Sequence, residues 1–265
     1  MKILDFEGTL CGNYAVISDF QIKSSAANYD HGLFGRQGGT VRCLYLKEFT
    51  IKGKRNIGAF AGTNTGTIEY CSAVGDIDVS RSFTDTDGGT TVTCGEIAGY
   101  NSGVISNCSF DGNVNAKANS QYMYVRVNAY CGGILGSNAG TIEDSYSVAS
   151  VTATTHGSNT TVGCYSYAGG ICASLSGSVK NSFVGGNVQV VVDVYQYGRD
   201  FGVNIGGAYA VRYSGATVEN TYVLEGQKLS GVYINDAGTI VTVDPAPTLT
   251  LSEIEEMLGK SFPIQ

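Results

Sequence analysis

The stretch Cys131-Gly-Gly-Ile-Leu-Gly136, followed by Ser-Asn138-Ala-Gly-Thr-Ile142, returns along the chain at a constant interval. Copies of the first six residues align without gaps, and their starts differ by 37 residues each time. The five copies start at Ile57, Cys94, Cys131, Ala168 and Ile205. A repeat of fixed length predicts a solenoid, in which each unit forms one coil and buries its apolar side against its neighbours.

Each unit contains a segment with strand periodicity. Ile77 and Val79 alternate with Asp76 and Asp78, and Val114, Val151 and Val188 occupy the place of Ile77 in later units. Alternation with a period of two predicts a half-buried strand. The Asn-x-Gly segments, such as Asn64-Thr-Gly66, predict turns with a positive φ.

We therefore predict an all-β fold, a right-handed parallel β-helix of about seven coils, since parallel crossovers favour the right hand. The Leu-x-x-Leu-x-Leu pattern of leucine-rich repeats is absent, and 37 residues are few for a four-stranded propeller blade. One domain over 1–265 is expected. It comprises irregular coils over 1–56, regular repeats over 57–225, and a last coil with a cap over 226–265.

The C-terminal segment predicts a short helix over about 252–259. Ser252 and Glu255 have the spacing of a capping box, and Ile254, Met257 and Leu258 form one apolar stripe. Because the last coil of a solenoid exposes open strand edges, we expect this helix to cover or flank that end.

Composition excludes several classes of protein. The chain has 265 residues, 37 glycines, no tryptophan and a net charge of −7, which argues against a broad nucleic-acid surface. The longest apolar stretch, near Val188–Val194, is interrupted by Asp193 and is too short to span a membrane. Asp5 and Glu7 interrupt the N-terminal segment, which therefore does not read as a signal peptide.

The segment Gly32-Leu33-Phe34-Gly35 and the later copies of the form seen over 132–142 resemble the GLUG motif of bacterial surface proteins. The opening Phe6-x-Gly-x-x-x-Gly-Asn13 is similar to the start of such domains, and the resemblance covers most of residues 6–225. It implies a secreted or cell-surface β-helix of the adhesion type. Family members include large adhesins and non-catalytic regions of immunoglobulin-A-cleaving metallopeptidases, and no catalytic residue carries over.

The candidate catalytic and metal-binding residues are sparse. Cys71 and Cys108 are 37 residues apart, as are Cys94 and Cys131, without zinc-type spacing. Buried free thiols are the favoured interpretation, and a disulfide across neighbouring coils stays open. His31 and His156 read as loop residues. Asp85–Gly89 reads as a polar turn rather than a calcium loop, because the distant Glu of such a loop is missing.

Acidic residues do not suggest a glycan-cleaving site, because Asn113 and Asn115 stand one unit after Asp76 and Asp78. No enzyme, cofactor or metal is therefore expected. Tyrosines form the most prominent candidate surface, and exposed rings suit sugars or protein partners. The predicted ligand-binding residues are Tyr122, Tyr124, Tyr130, Tyr165 and Tyr167; Tyr195 and Tyr197 fall in the same segment of a later unit. The alternative is that most of these tyrosines are packing residues of loops and strands.

These observations predict an adhesion or stalk module of a bacterial surface protein. It would present a rigid face to host or bacterial glycans or surface proteins, beside other domains of a larger protein. A polysaccharide-degrading β-helix and a passive spacer remain the alternatives.

Overall fold

A computed structural model describes residues 3–25, 30–84, 91–122, 124–157, 163–194, 201–234, 240–242 and 248–262. The predicted polar turn Asp85–Gly89 and the residues Tyr195 and Tyr197 lie outside these ranges. The elements are β1 (Ile3–Phe6), β2 (Thr9–Ser18), β3 (Gln21–Lys23), β4 (Phe34–Gln37), β5 (Thr40–Gly53), β6 (Asn56–Ile57), β7 (Ala61–Asn64), β8 (Thr67–Glu69), β9 (Ser72–Phe83), β10 (Thr91–Gly95), β11 (Ala98–Asn101), β12 (Val104–Ser106), β13 (Ser109–Ser120), β14 (Val127–Gly132), β15 (Leu135–Asn138), β16 (Thr141–Glu143), β17 (Tyr146–Ser147), β18 (Ser150–Gly157), β19 (Cys164–Gly169), β20 (Cys172–Leu175), β21 (Ser178–Val184), β22 (Val188–Val194), β23 (Phe201–Gly206), β24 (Tyr209–Arg212), β25 (Thr217–Leu224), β26 (Leu229–Ile234), β27 (Ile240–Thr242), β28 (Thr248–Leu249) and α1 (Leu251–Leu258).

The strands form three parallel sheets that run along the stack, which confirms the predicted β-solenoid. The first sheet has seven strands in the order β1-β4-β7-β11-β15-β20-β24, so the chain passes through it once per coil. A second sheet has six strands, β27-β23-β19-β14-β10-β6. The third and largest contains the long strands β5, β9, β13, β18 and β22. No described helix is long and apolar enough to cross a membrane.

The predicted 37-residue register is confirmed by the strand pairing. Ile77 pairs with Val114, Val114 with Val151, and Val151 with Val188. All four side chains are buried in one continuous core that runs along the stack. The shorter early coil is also in place, because Val41 pairs with Ile68, 27 residues later.

The Asn of the Asn-x-Gly segments lies inside the stack. It does not have a positive φ, contrary to the prediction. Asn64 Nδ2 donates to Asn101 Oδ1 (2.7 Å), and Asn101 Nδ2 donates to Asn138 Oδ1 (2.8 Å). The glycine two places later is needed for close approach, since a Cβ at Gly103 would lie 2.0 Å from the carbonyl oxygen of Gly66.

Positive φ occurs at another position of the third sheet, which lies between two strands in the middle coils and inside β21 and β25 in the later coils. The residues there in five successive coils are Tyr70, Asn107, Asp144, Asn181 and Asn220. Asn and Asp tolerate the left-handed region better than other residues with a Cβ, so Tyr70 departs from this preference, as does Cys43 at the matching position one coil earlier.

The C-terminal helix confirms the predicted element but begins at a different residue. Thr250, not Ser252, is the N-cap: its hydroxyl accepts from the backbone N–H of Glu253, whose carboxylate accepts from the N–H of Thr250. Leu249 and Ile254 flank this box in one apolar cluster, in the positions of a hydrophobic staple. That packing selects the Thr250 frame over the Ser252 frame.

The helix and the residues after it pack along the side of the stack. Ile254 is fully buried in a cluster with Tyr146, Phe183 and Tyr222, which is separate from the main core. These three aromatic residues succeed one another in one column of the third sheet. Phe262 meets the rings of Tyr146 and Phe183 edge-on, at 5.4 Å and 4.7 Å between centroids.

Candidate functional site

Three of the five predicted ligand-binding tyrosines lie together on the outer face of the second sheet. Tyr130 and Tyr167 are paired in register, and their rings stack 4.4 Å apart with only 2° between the planes. The ring of Tyr165 lies 6.4 Å from that of Tyr167, and the Arg126 guanidinium sits 4.2 Å from the Tyr165 centroid. We call Arg126, Tyr130, Tyr165 and Tyr167 the tyrosine stack.

The stack is half-buried and rigid. Burial, with the electrostatic influence of Tyr167, raises the pKa of Tyr130, and burial also raises the pKa of Tyr167. The phenols are therefore neutral at physiological pH and offer ring faces and hydroxyl groups. Tyr122 and Tyr124 are 41% and 79% exposed. Tyr122 belongs to a different cavity, described below.

A second aromatic surface, which the sequence pattern did not reveal, is a groove of about 380 Å³ on the outer side of the third sheet. We call it the tyrosine groove. Its lining residues are Tyr14, Tyr45, Lys47, Tyr70, Cys71, Ser72, Ala73, Val74, Asn107, Ser109, Phe110, Asp111, Tyr146 and Val148.

The groove owes its shape to one column of paired residues. Tyr45 pairs with Ser72, Ser72 with Ser109, and Ser109 with Tyr146. Two small side chains therefore stand between two large rings. At a spacing of about 4.8 Å per strand, Tyr45 and Tyr146 are about 14 Å apart, enough for one or two sugar rings.

Further tyrosines enclose the N-terminal end of the groove. Tyr14 and Tyr70 are 57% and 48% exposed, and the Tyr14 ring lies 5.9 Å from that of Tyr45. A side-chain hydrogen bond with Cys43 raises the pKa of Tyr14, so its hydroxyl also stays protonated at neutral pH. Exposed rings beside Lys47, Asn107 and Asp111 combine apolar faces with hydrogen-bonding groups.

The repeat pattern did not predict this groove because its tyrosines occupy positions that are not equivalent from coil to coil. Tyr14 and Tyr45 belong to the irregular coils, whereas Tyr70 occupies the left-handed turn column. The available signal was Tyr70 itself, since it stands 37 residues before Asn107 in a column that holds Asn or Asp in the four later coils.

A polar cavity of about 590 Å³ lies at the far end of the long strands. One outward column crosses it: Ser82 pairs with Asn119, Asn119 with His156, and His156 with Asp193. His156 Nδ1 and Asp193 Oδ2 are 2.9 Å apart. Lys117, Gln121 and Tyr122 also line this space, which we call the polar cavity.

Both histidines differ from their prediction as loop residues. His156 lies inside strand β18, at an outward position that suits a polar side chain. His31 is 1% exposed and bridges to Ile57 within the stack. The spacing of 37 residues between His156 and Asp193 was visible in the sequence but was not used.

The acidic residues show one feature that the sequence pattern did not indicate. Asp76 accepts a hydrogen bond from Asn113 (2.8 Å), and Asp78 pairs with Lys52 (3.2 Å). Glu96, however, is fully buried; neither carboxyl oxygen has a well-formed hydrogen bond among the described residues, and the backbone of Gly75 supports its charged form only weakly. Burial, followed by the negative charge of Asp111, raises the pKa of Glu96 well above its usual range.

All eight cysteines are free thiols in the structure. Cys94 and Cys131 pair directly, with their sulfur atoms 3.4 Å apart in the dry core. Cys71 and Cys108 take the place of hydroxyl side chains in their column. Each sulfur donates to the carbonyl two residues earlier, as Ser145 and Ser182 do with oxygen. Within the described ranges no group of three His, Cys, Asp or Glu side chains could hold a metal ion.

Comparison with known proteins gives four findings. No family model matches the chain. A segment of 75 residues, 28% of the chain, is 37% identical to Halomucin of Haloquadratum walsbyi, of which it spans 1%. A crystal structure of a protein provisionally named immunoglobulin A1 protease, from Bacteroides ovatus, matches 93% of the chain and 70% of its own length, with a TM-score of 0.60 and 19% identity.

Another solved structure, named IgA1 protease, matches 98% of the chain but only 22% of its own length, with a TM-score of 0.50 and 16% identity. At these identities the likeness establishes the shared β-solenoid fold. The fold and the Halomucin segment fit a repeat domain of an extracellular surface protein.

The comparisons also correct one prediction. The sequence pattern predicted that the chain is no enzyme, yet both similar solved structures carry the name of a protease. The prediction was wrong because it rested on the absence of a recognised acidic or histidine motif. A shared solenoid in proteins named as proteases removes the basis for excluding an enzyme.

Proposed function

We propose that this chain is a ligand-binding β-solenoid domain of a larger extracellular surface protein, and that its tyrosine groove binds glycan chains. The single observation that carries the proposal is the groove between Tyr45 and Tyr146, floored by Ser72 and Ser109 and flanked by the exposed rings of Tyr14 and Tyr70. The resemblance to GLUG-motif adhesins supports the same role.

The chemistry of the groove suits sugars. Aromatic faces stack on the apolar faces of sugar rings, while Asn107, Asp111 and Lys47 can exchange hydrogen bonds with hydroxyl groups. The walls belong to strands of one sheet, so they are held in place before a ligand arrives, and little ordering entropy is lost on binding.

The backbone at Tyr70 adds an independent argument. A left-handed conformation is unfavourable for a tyrosine, and such outliers persist where the side chain has a use. Asn at this position would relieve the strain, as Asn107 does in the next coil. We infer that Tyr70 is retained for the ring that it presents to the groove.

A glycan array followed by calorimetry on the bound oligosaccharide tests the proposal. Tyr70→Ala is expected to weaken binding at least about fivefold, because stacking of one ring contributes about 1–3 kcal/mol in comparable aromatic contacts. Tyr124→Ala is the matched control, since Tyr124 is highly exposed and lies outside the groove.

Two results would redirect the proposal. Binding that survives Tyr70→Ala but is lost in Tyr167→Ala assigns the ligand to the tyrosine stack instead, as the sequence pattern predicted. An array without any bound glycan, combined with capture of a defined surface protein, moves the function to protein adhesion.

A second candidate function is supported by the match of 93% of the chain to the Bacteroides ovatus protein. In this proposal the chain is one segment of an extracellular peptidase. Incubation of the purified full-length protein with immunoglobulin A1, with cleavage followed by mass spectrometry, provides the test. Intact immunoglobulin after prolonged incubation would rule out this substrate.

A further inference from the structure

The polar cavity shows the features of a second ligand site, separate from the tyrosine groove. We propose that it binds a neutral, hydroxyl-rich ligand such as a sugar unit, held by Asn119, His156 and Asp193. Nothing in the proposed function of the groove requires this site.

The residue type in the column that crosses the cavity changes from one coil to the next. The outward residues in four successive coils are Ser82, Asn119, His156 and Asp193, about 4.8 Å apart from one to the next. Polar groups on adjacent strands of a rigid sheet can contact neighbouring hydroxyl groups of one small molecule. The volume of about 590 Å³ lies within the usual range for small-molecule sites.

Two acceptor atoms in this column lack a donor. Asn119 Oδ1 and Asp193 Oδ1 are both shielded from solvent, and neither has a hydrogen-bond partner within the described part of the chain. A buried acceptor without a donor is unfavourable, because its lost hydration is not replaced. A small rotation of each side chain towards the cavity would let hydroxyl groups of a ligand supply the two donors.

The arrangement of His156 and Asp193 fixes the groups that face such a ligand. Asp193 Oδ2 lies 2.9 Å from His156 Nδ1, so it orients the imidazole and leaves Oδ1 as the remaining acceptor of the carboxylate. An oriented imidazole and a carboxylate oxygen side by side recognise a hydroxyl group in a defined direction.

The charges around the cavity indicate a neutral ligand. The Lys117 side chain lines the same space and disfavours a cation, while the carboxylate of Asp193 disfavours an anion. Tyr122 at the rim and Phe83 beneath add apolar surface for the carbon skeleton of a ring. This combination matches a sugar better than an ammonium compound or a phosphate.

The chain contains only two histidines, which makes the test specific. We expect that addition of glucose, galactose or N-acetylglucosamine, each tested alone, shifts the imidazole nitrogen signals of His156 in NMR spectra of the ¹⁵N-labelled protein. The signals of His31, which is buried in the stack away from the cavity lining, serve as the internal reference and should stay unchanged.

Two substitutions examine the acceptor atoms. Asn119→Ser places in this coil the residue that Ser82 provides one coil earlier, so the fold accepts it. Asp193→Asn keeps the shape of the side chain and removes its charge. Each substitution is expected to lower the apparent affinity for the sugar, measured from the shift of the His156 signals, at least tenfold. Asp78→Asn, on the same sheet outside the cavity, should leave this affinity unchanged.

Absence of any sugar-dependent shift at His156 would overturn the proposal, as would shifts with undiminished affinity in both Asn119→Ser and Asp193→Asn. Tyr70→Ala separates the two sites, because it should weaken glycan binding in the groove at least fivefold without changing the response of His156. Failure of one site therefore leaves the other open to its own test.

Discussion

Asn101 donates a hydrogen bond of 2.8 Å to Asn138, the residue that lies 37 positions later and one coil further along the stack. Asn64 donates in the same way to Asn101 (2.7 Å), so the three amides form a ladder inside the solenoid. Each amide satisfies its neighbour in a place that water does not reach, which ties successive coils to one register.

Replacing Asn101 by Ala should destabilise the fold markedly. Asn64 loses its acceptor and Asn138 loses its donor, and each buried polar group left without a partner costs about 1–3 kcal/mol. We expect a loss of about 3 kcal/mol in the free energy of unfolding, measured by urea denaturation. Asn113→Ala is the control: Asn113 bonds to Asp76 at an exposed site, so a loss below about 0.5 kcal/mol is expected.

Glu96 should make the stability depend on pH. The fold raises its pKa, so between the unfolded and the folded pKa the native state binds the proton that the unfolded state has released. This contribution to stability is fully present below the unfolded pKa, about 4.3, and is lost as the pH rises through the folded pKa.

Glu96→Gln should therefore be more stable than the parent protein at neutral pH, and its unfolding midpoint should change less between pH 4 and pH 8. Denaturation at a series of pH values measures both effects. Glu143→Gln serves as a control at a partly exposed position. A parent protein whose stability rises with pH over this range would contradict the assignment of a neutral Glu96.

Tyr70→Asn should stabilise the protein while it impairs ligand binding. Asn adopts the left-handed conformation more readily than Tyr, and three later coils have Asn in this column. We expect a gain of about 0.5–1 kcal/mol, comparable to other relief of backbone strain. Thermal unfolding and glycan binding of the same variant provide the two readouts, and unchanged glycan affinity would count against the groove.

The thiols should differ sharply in reactivity. Burial raises the pKa of Cys164 to about 12 and that of Cys94 well above its usual value, so neither forms a thiolate at neutral pH. Iodoacetamide should modify the exposed Cys11 first, and all eight thiols only after unfolding. Intact mass before and after reduction checks for disulfides: a gain of about two daltons for each pair would contradict the free thiols, and peptide mapping would then show whether Cys94 and Cys131 are the pair.

The packing of α1 against the third sheet can be tested at Ile254. This side chain is fully buried against Phe183 and Tyr222, so Ile254→Ala should cost about 2–4 kcal/mol. Met257 lies on the same helix but is 60% exposed, and Met257→Ala should change the free energy of unfolding by less than about 0.5 kcal/mol. Equal effects of the two substitutions would disprove the described orientation of the helix.

The architecture could be predicted from the residues because a solenoid repeats one local solution. Ile77, Val114, Val151 and Val188 follow one another at a constant interval, and the alternation around them places each side chain inside or outside. The pairing of Tyr130 with Tyr167 follows from the same interval. Both predictions needed only the spacing of residues and the period of a strand.

The binding surfaces could not be predicted in this way, because the outer face of a coil depends on what covers it. Tyr146 and Phe183 succeed one another in a single column, yet Phe262 and the helix α1 bury Phe183 and leave the groove beside Tyr146 open. Whether an outward aromatic residue becomes core or ligand surface is thus decided by packing between distant segments.

The 37-residue interval alone therefore determines the sheets, their register and the buried columns, since stacking is the means by which such coils exclude water. The tertiary structure alone decides that the ring of Tyr70 faces a groove, and that the column of Asn119, His156 and Asp193 borders an open cavity. Inward positions obey one shared demand for close packing, whereas outward positions acquire their roles from neighbours that the repeat does not specify.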